Sequence, residues 1–140
     1  MAANGWSPRI AMYSHDTYGL GHLTRTTRIA RRLVAALPGS SVLILSGSPI
    51  AHRFSFPQGV DYIKIPSVVK AGPEYYVARE LGISNRRIRR MRAQLIHDAV
   101  EQFRPHLLLV DNVPLGMRGE LWPTLRRLRQ HHPATRIHLN

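Results

Sequence analysis

Short apolar segments alternate with longer amphipathic segments along this chain. The apolar segments fall at residues 9–14, 41–45, 61–65, 107–110 and 136–139. Their shortness is typical of strands, and the unbroken apolar run at 107–110 is typical of a central parallel strand covered on both faces. The pattern therefore predicts five strands in a partly buried sheet.

Three longer segments repeat their apolar residues at helical spacing. The first segment begins after Gly21 and stops at Pro38. The second follows the candidate N-cap Ser84 and runs to about residue 104, and the third covers residues 120–131. Residues 50–56 are predicted as a shorter helix. Residues 66–82 are less regular, and so long an irregular segment is more often a functional loop than a linker.

The second helix is predicted to pack through a single apolar stripe. Its members are Ile88, Met91, Leu95, Ala99 and Phe103. Arg92 falls near the edge of this stripe, so its side chain is expected to reach solvent or to point into a cleft.

Strands and helices that take turns, with long connections between successive strands, predict an α/β fold with a Rossmann-like, doubly wound parallel sheet. We expect residues 1–8 to be a flexible N-terminus and residues 9–140 to be a single Rossmann-like domain. Ligands of such sheets bind beyond the carboxyl ends of the strands. The polar residues predicted at that edge are His15, Asp16, His22, Ser46, Gly47 and Asp111.

Composition narrows the class of protein. The chain has 140 residues and no cysteine, so it has the size of one domain and can hold neither a disulfide nor a thiolate metal site. No apolar run approaches the ~20 residues that a membrane-spanning helix needs, and the first residues lack the features of a signal peptide. The expectation is a soluble, cytoplasmic protein.

The formal charge of +12 comes almost entirely from arginine, which supplies all but two of the 20 basic residues. The arginines concentrate at residues 25–32, 86–92 and 126–129. Three interpretations stay open: nucleic-acid binding, peripheral contact with anionic lipid at the inner face of the membrane, and solvated outer faces of helices. No nucleic-acid recognition motif is visible, so membrane contact is favoured over specific nucleic-acid binding.

The segment between the first strand and the first helix is a polar glycine loop, residues 15–22. A strand that turns through glycines into a helix gathers backbone N–H groups and the positive end of the helix dipole, which favours anionic or polar ligands. Gly19 and Gly21 fit the first two positions of the dinucleotide-binding fingerprint, but Thr24 occupies the third. NAD binding is therefore disfavoured. The sequence also contains neither a P-loop nor a nucleophile elbow, and no cofactor is expected.

Several motifs in order resemble a known family. They are HDTYGLGHLTR at 15–25, LILSGSP at 43–49, FPQGVDYIKIPS at 56–67, Lys70 with the tyrosines after it, and FRPHLLLVDNVPLGMRGEL at 103–121. Together they are similar to the N-terminal domain of GT-B glycosyltransferases related to the lipid-linked N-acetylglucosaminyltransferase of cell-wall synthesis (MurG, family 28-like), most of all to a group of bacterial predicted glycosyltransferases. Sugar-nucleotide hydrolases share this fold.

The resemblance implies a fold of two Rossmann-like domains that face each other. The first would bind a sugar or lipid-linked acceptor and supply a base, and the second would bind most of the nucleotide-sugar donor. Only the first is matched, from about residue 9 to 129, so we expect an incomplete acceptor-binding domain. With the C-terminal donor-binding domain absent from the 140 residues, the chain is expected to be truncated and inactive alone.

The resemblance and the residue types together give candidate roles. His22 is the candidate base for an acceptor hydroxyl, with loop closure as its alternative, and Asp111 is the candidate orienting carboxylate, with turn capping as its alternative. The candidate substrate-binding residues are His15, Asp16, Gly19, Gly21, Arg25, Lys70 and Tyr75, followed by Tyr76. A metal site of His15, Asp16 and His22 is disfavoured, because all three ligands would come from one loop.

Whether the chain is an enzyme stays open at this point. The leading hypothesis is the acceptor half of an inverting, metal-independent glycosyltransferase. A noncatalytic module that recruits a separate catalytic chain is one alternative, and a sugar-nucleotide hydrolase that uses His22 and water is another.

Overall fold

The computed structural model of the chain describes residues 5–16 and 20–140. In chain order its elements are β1 (Arg9–Ser14), α1 (Gly21–Ala36), β2 (Ser41–Ser46), β3 (Val60–Lys64), β4 (Val68–Gly72), β5 (Tyr75–Ala78), α2 (Asn85–Phe103), β6 (Leu107–Val110), α3 (Trp122–His131) and β7 (Arg136–Leu139). Single-turn 3₁₀ helices cover Ala51–Arg53 and Met117–Gly119.

Five strands form one parallel sheet in the order β3-β2-β1-β6-β7. The central strand is β1, which pairs with β2 on one side and β6 on the other. The predicted α/β fold with a Rossmann-like parallel sheet is therefore confirmed. The segment at 107–110 lies inside the sheet as expected, next to the central strand.

The centre of the sheet is covered on both faces, which explains why its middle strands are so apolar. Ile10 and Met12 of β1 pack in a cluster with Leu23 and Ala30 of α1. The alternate residues of β1 pack on the other face in a cluster with side chains of α2, β6 and α3. Because successive side chains of a strand point to opposite faces, a strand buried on both faces must be apolar throughout.

The prediction of an irregular loop at residues 66–82 is wrong in part. Within it, β4 and β5 pair antiparallel as a hairpin, with Val68 opposite Ala78 and an irregularity between Lys70 and Gly72. Val68 packs against Ile88 of α2. The hairpin escaped the sequence pattern because its strands are short and mostly half-buried, and pack through a few side chains.

The predicted stripe of α2 is wrong in part: Ile88 is buried, and Ala99 and Phe103 pack against the core, but Met91 and Leu95 do not. The buried residues of this helix are Ile88, Arg92, Ile96 and Val100, whereas Met91 is 40% exposed and Leu95 is 41% exposed. The four buried residues follow one another at intervals of four, so they lie on one face of the helix. A charged residue in the middle of that face shifted the predicted stripe onto its neighbours.

Other boundaries deviate less. Ser84 caps α2 as predicted, because its Oγ accepts a hydrogen bond from the Arg87 N–H at 3.2 Å. The helix predicted over 50–56 is reduced to a single 3₁₀ turn. Of the N-terminal segment 1–8, residues 1–4 lie outside the described part of the chain, while the Pro8 carbonyl accepts a hydrogen bond from the Ser41 N–H at 2.8 Å. None of the described helices is long and apolar enough to cross a membrane.

Candidate active site

The carboxyl ends of three neighbouring strands bring polar residues together. Ser14 of β1 is paired with Ser46 of β2, and Tyr13 is paired with Val110 of β6. Asp111, the first residue after β6, therefore lies beside the end of β1. His15 and Asp16, which follow β1, and the first residues of α1 lie at the same edge, so the described site residues of these segments meet there.

Asp111 is the centre of this cluster. It is only 4% exposed, and its Oδ2 lies 2.6 Å from Nδ1 of His22. Its Oδ1 accepts a hydrogen bond from the guanidinium of Arg25, and the backbone N–H of His15 approaches Oδ2 at 3.4 Å. The hydrogen bond that the sequence analysis anticipated between Asp111 and His22 is present, and Arg25 is a second partner that it did not anticipate.

The contact with Asp111 orients the imidazole of His22. A carboxylate accepts hydrogen bonds, so Nδ1 of His22 donates to Asp111, and in the neutral form of the ring Nε2 carries the lone pair. The His22 side chain is 33% exposed. A partly exposed imidazole that is held through one nitrogen by a carboxylate has the arrangement of a general base, which acts through the second nitrogen.

His15 lies behind His22. It is 6% exposed, and its ring centroid is 5.8 Å from that of His22, edge to face. Burial lowers the pKa of His15, and positive charge on His22 lowers it further. Its Nδ1 has no hydrogen-bond partner among the described residues. His15 is therefore a neutral imidazole with spare hydrogen-bonding capacity beside the candidate base.

Asp16 has a similar character. It is 5% exposed, and its Oδ2 accepts a hydrogen bond from the Ser46 hydroxyl at 2.6 Å. Burial raises the pKa of Asp16, although hydrogen bonds from Ser46 and Ser14 act in the opposite direction. Its Oδ1 is buried without a partner in the described part of the chain. An oxygen in this position can accept a hydrogen bond from a substrate hydroxyl.

The other predicted site residues are more dispersed. Gly21 is the first residue of α1, and Gly19 lies outside the described residues. Lys70 and Tyr75 belong to the β4–β5 hairpin, and no hydrogen bond or ion pair between described residues joins either of them to Asp111. Their roles in binding stay predictions.

A buried polar network that the sequence pattern did not predict lies beneath this edge. Arg92 of α2 donates two hydrogen bonds to the Glu120 carboxylate, from Nε at 2.8 Å and Nη2 at 2.7 Å. The Tyr13 hydroxyl donates to Glu120 Oε1 at 2.6 Å and accepts from the Met117 N–H at 3.1 Å. Burial disfavours the charge on Arg92, but Glu120 and Tyr13 together outweigh burial and raise the pKa of Arg92. The signal in the sequence was the place of Arg92 midway between Ile88 and Ile96.

The network also holds the loops of the site edge. Nη1 of Arg92 donates to the Pro66 carbonyl at 2.6 Å, and the Ser67 hydroxyl donates to the Gly47 carbonyl at 2.7 Å. A Cβ atom at Gly47 would lie 2.6 Å from Nη1 of Arg92. Glycine is thus required at position 47 because the buried guanidinium occupies the space of a side chain.

The comparisons with known proteins give a fold and no family. No protein-family model matches the chain, and no curated protein matches its sequence. The structure is similar to that of a UGT transferase from Siraitia grosvenorii, solved in complex with UDP, with a TM-score of 0.57 and 15% identity over 95% of this chain. The chain spans 27% of the length of that transferase.

This likeness confirms the predicted fold class, a Rossmann-like domain of the kind that forms half of a GT-B glycosyltransferase. At 15% identity it shows the fold alone. The narrower resemblance to the MurG-related group stays a prediction.

Proposed function

We propose that this chain is the acceptor-binding part of a glycosyltransferase, in which His22 is the general base and Asp111 orients it. The observation that carries the proposal is the 2.6 Å hydrogen bond between Asp111 and Nδ1 of His22, at the edge of the sheet where ligands of such folds bind. The likeness to a transferase solved with UDP supports a nucleotide-sugar donor.

In the proposed reaction, Nε2 of His22 takes the proton of an acceptor hydroxyl while the hydroxyl oxygen attacks the anomeric carbon of the donor sugar. The bond from that carbon to the nucleoside diphosphate breaks, and the diphosphate leaves with the bonding electron pair. Asp111 stabilises the imidazolium that forms, and Arg25 donates a hydrogen bond to the other oxygen of Asp111. General-base assistance of this kind contributes about 100- to 10,000-fold to the rate.

Asp16 and His15 complete the proposed acceptor site. Both side chains are nine-tenths or more buried and each keeps one polar atom without a partner among the described residues. A buried polar atom without a partner costs free energy, which a bound hydroxyl would recover. We therefore assign to Asp16 Oδ1 and His15 Nδ1 the hydrogen bonds that orient the acceptor.

Substitution of His22 tests the proposal, in a protein that carries this chain together with a donor-binding half. His22→Ala should lower kcat by about 100-fold or more with little change in the KM for the donor. His22→Asn should be nearly as damaging, because an amide keeps the hydrogen bond to Asp111 but cannot take the proton. Asp111→Asn should reduce kcat less than His22→Ala.

The matched control is His52→Asn, since His52 is exposed on the 3₁₀ turn after β2. Near-normal turnover by His22→Asn would refute the base and leave His22 a structural role. Release of free sugar at the same rate with and without acceptor would favour the hydrolase.

A peripheral membrane contact is the second part of the proposal, as a lipid-linked acceptor in the manner of the MurG-related group would require. The observation behind it is a ridge on α2 in which Arg87, Met91 and Leu95 follow one another at helical spacing. Met91 and Leu95 are 40% and 41% exposed. Apolar side chains flanked by arginines suit the surface of an anionic bilayer.

Vesicle cosedimentation tests the ridge. Replacing Arg87 and Arg90 by glutamate should abolish binding to anionic vesicles at low salt while the far-ultraviolet circular dichroism stays unchanged, because both residues are exposed. The same change at Arg126 and Arg129 of α3 is the control. Equal vesicle binding by the wild type and the Arg87/Arg90 variant would show that the ridge is an ordinary solvent-exposed helix face.

A further inference from the structure

A concave surface on the hairpin side of the molecule is lined by three arginines. Its lining residues are Tyr75, Asn85, Arg86, Arg89 and Arg118, and its volume is about 330 Å³. None of these three arginines forms an ion pair with a residue that the structure describes. We call this set Arg86, Arg89 and Arg118 the arginine rim.

The arginine rim lies on the same edge of the sheet as His22. The hairpin and the start of α2 follow the carboxyl end of β3, and the connection that contains Arg118 follows the carboxyl end of β6. Asp111 begins that same connection. A ligand that extends along this edge can therefore meet both the candidate base and the rim.

Arg118 is held in place from the core. Its φ is 50°, and it stands between Gly116 at φ 68° and Gly119 at φ 75°. A left-handed backbone is uncommon for a residue other than glycine, and it persists only where the surroundings fix it. Here they do: the Met117 N–H is bonded to the Tyr13 hydroxyl, and Glu120 is bonded to Arg92.

A small, mostly apolar cavity adjoins the concave surface. The two share Asn85, Arg89 and Arg118, and the wall of the cavity also includes Val68, Tyr76, Ile88 and Met117. The one cation of that wall outside the rim, Arg92, is neutralised by Glu120. The uncompensated charge of this surface is therefore concentrated in the rim.

The rim carries an electrostatic cost that an anion would remove. Arg86 and Arg89 are three residues apart on α2, so their side chains are neighbours on the helix surface and their like charges repel each other. The planar guanidinium matches phosphate oxygens in pairs, which is why arginine is favoured at phosphate sites. Three such groups around one concavity provide charge for a phosphate or a diphosphate.

We propose that the arginine rim binds a phosphate or diphosphate group carried by the acceptor. The identification of the ligand as the acceptor rests on the proposed function. The existence of an anion site does not depend on it. The site would select acceptors whose anionic group lies at a fixed reach from the reacting hydroxyl.

Binding of inorganic pyrophosphate to the 140-residue chain, followed by calorimetry at low salt, is the direct test. Arg89→Gln and Arg118→Gly should each weaken binding by at least about tenfold, as expected for loss of a charge-assisted hydrogen-bond pair. Arg118→Gly is the sharper variant, because glycine suits the left-handed backbone and the fold should be kept or stabilised. Arg126→Gln combined with Arg129→Gln removes two exposed charges of α3 and should leave the affinity unchanged.

Thermal unfolding of each variant identifies any loss of the fold. Pyrophosphate affinity equal to wild type in folded Arg118→Gly and Arg89→Gln would overturn the proposal. Equal weakening by the α3 control would do so too, because it would show attraction to net charge alone. A failed His22→Asn test would refute the base and leave this result untouched, so the two proposals fail separately.

Two further probes distinguish the source of the phosphate. Glucose 1-phosphate represents a soluble sugar phosphate, and geranyl diphosphate represents a lipid-linked diphosphate. If one probe binds more tightly than pyrophosphate and Arg118→Gly abolishes that gain, the result supports the site and identifies the class of acceptor. If Arg118→Gly binds both probes as tightly as the wild type does, the proposal is overturned.

Discussion

Two arginine–carboxylate pairs in this molecule have the same chemistry and opposite surroundings. Arg92 and Glu120 are each 1% exposed, whereas Arg25 is 50% exposed and its partner Asp111 is 4% exposed. In the first pair the charges contact only protein groups. In the second, Arg25 and His22 reach solvent, so a substrate can approach them.

The difference separates scaffold from chemistry. A closed, hydrogen-bonded ion pair contributes rigidity and offers nothing to a ligand. An open pair contributes little to stability, yet it can hold and move a proton. The two are joined by β1, because Tyr13 belongs to the buried network and the next residues along the chain, Ser14 to Asp16, belong to the site.

The largest expected effect comes from breaking the buried pair. Arg92→Met leaves Glu120 buried without its partner and should lower the free energy of unfolding by about 3–5 kcal/mol. Urea unfolding followed by circular dichroism measures this. Arg89→Met, on the exposed face of the same helix, should change it by less than about 0.5 kcal/mol.

The double variant Arg92→Met/Glu120→Leu sharpens that test. Removing both charges should restore much of the stability lost in Arg92→Met, because no unpaired charge is left in the interior. A single variant as stable as the wild type would contradict the assignment of the pair to the scaffold.

Tyr13→Phe probes the link between the two regions and should cost about 2 kcal/mol. The change leaves the Met117 N–H and one Glu120 oxygen each short of a hydrogen bond in the interior. Tyr62→Phe is the control, since the Tyr62 ring packs against Phe56 and its hydroxyl has no hydrogen-bond partner among the described residues. Equal stability of the two variants would show that the Tyr13 hydroxyl is dispensable.

Asp111→Asn should affect turnover more than stability, whereas Arg92→Met should mainly affect stability. We expect a loss of only about 1 kcal/mol in unfolding free energy, since Arg25 and His22 can turn to water. The same variant should lower kcat, as set out above. Denaturation and turnover measured on one preparation check this, and a loss of stability as large as that of Arg92→Met would make Asp111 part of the scaffold.

The smallest effect is expected at a surface pair on the far side of α2. Hydrogen bonds from Arg127 and His132 lower the pKa of Glu101 from 4.5 to about 2. Because the folded chain has the lower pKa, the stabilisation is complete above pH 4.5 and is lost as the pH falls toward 2. Arg127 is 41% exposed, so solvent screening should limit the contribution to about 0.5 kcal/mol.

Glu101→Gln should therefore reduce stability slightly at pH 7 and make no difference near pH 2. Stability curves of the wild type and the variant across this range check the prediction. Glu80→Gln is the control, because Glu80 is 79% exposed. A gap between wild type and variant that widens toward pH 2 would contradict the sign of the argument.

The sequence by itself determined the layers of the fold and the edge that carries the site. The strands at 107–110 and 136–139 have the predicted bounds. For residues 107–110 the reason is that a short apolar run between helices has few alternatives to a buried parallel strand. The alternation of strands and helices dictates a parallel sheet, and a parallel sheet gathers the ends of its strands. His22 and Asp111 were expected at one edge on this basis alone.

Only the tertiary structure decided which atoms meet. Asp111 and His22 are 89 positions apart, so the 2.6 Å contact between them depends on strand order and register. Arg92 faces the interior because Glu120 is buried opposite it, and a helical pattern cannot show that a charged residue has such a partner. The hairpin likewise depends on contacts with α2. Local periodicity encodes which residues avoid water, whereas pairing across the sequence is set by the packing of the whole chain.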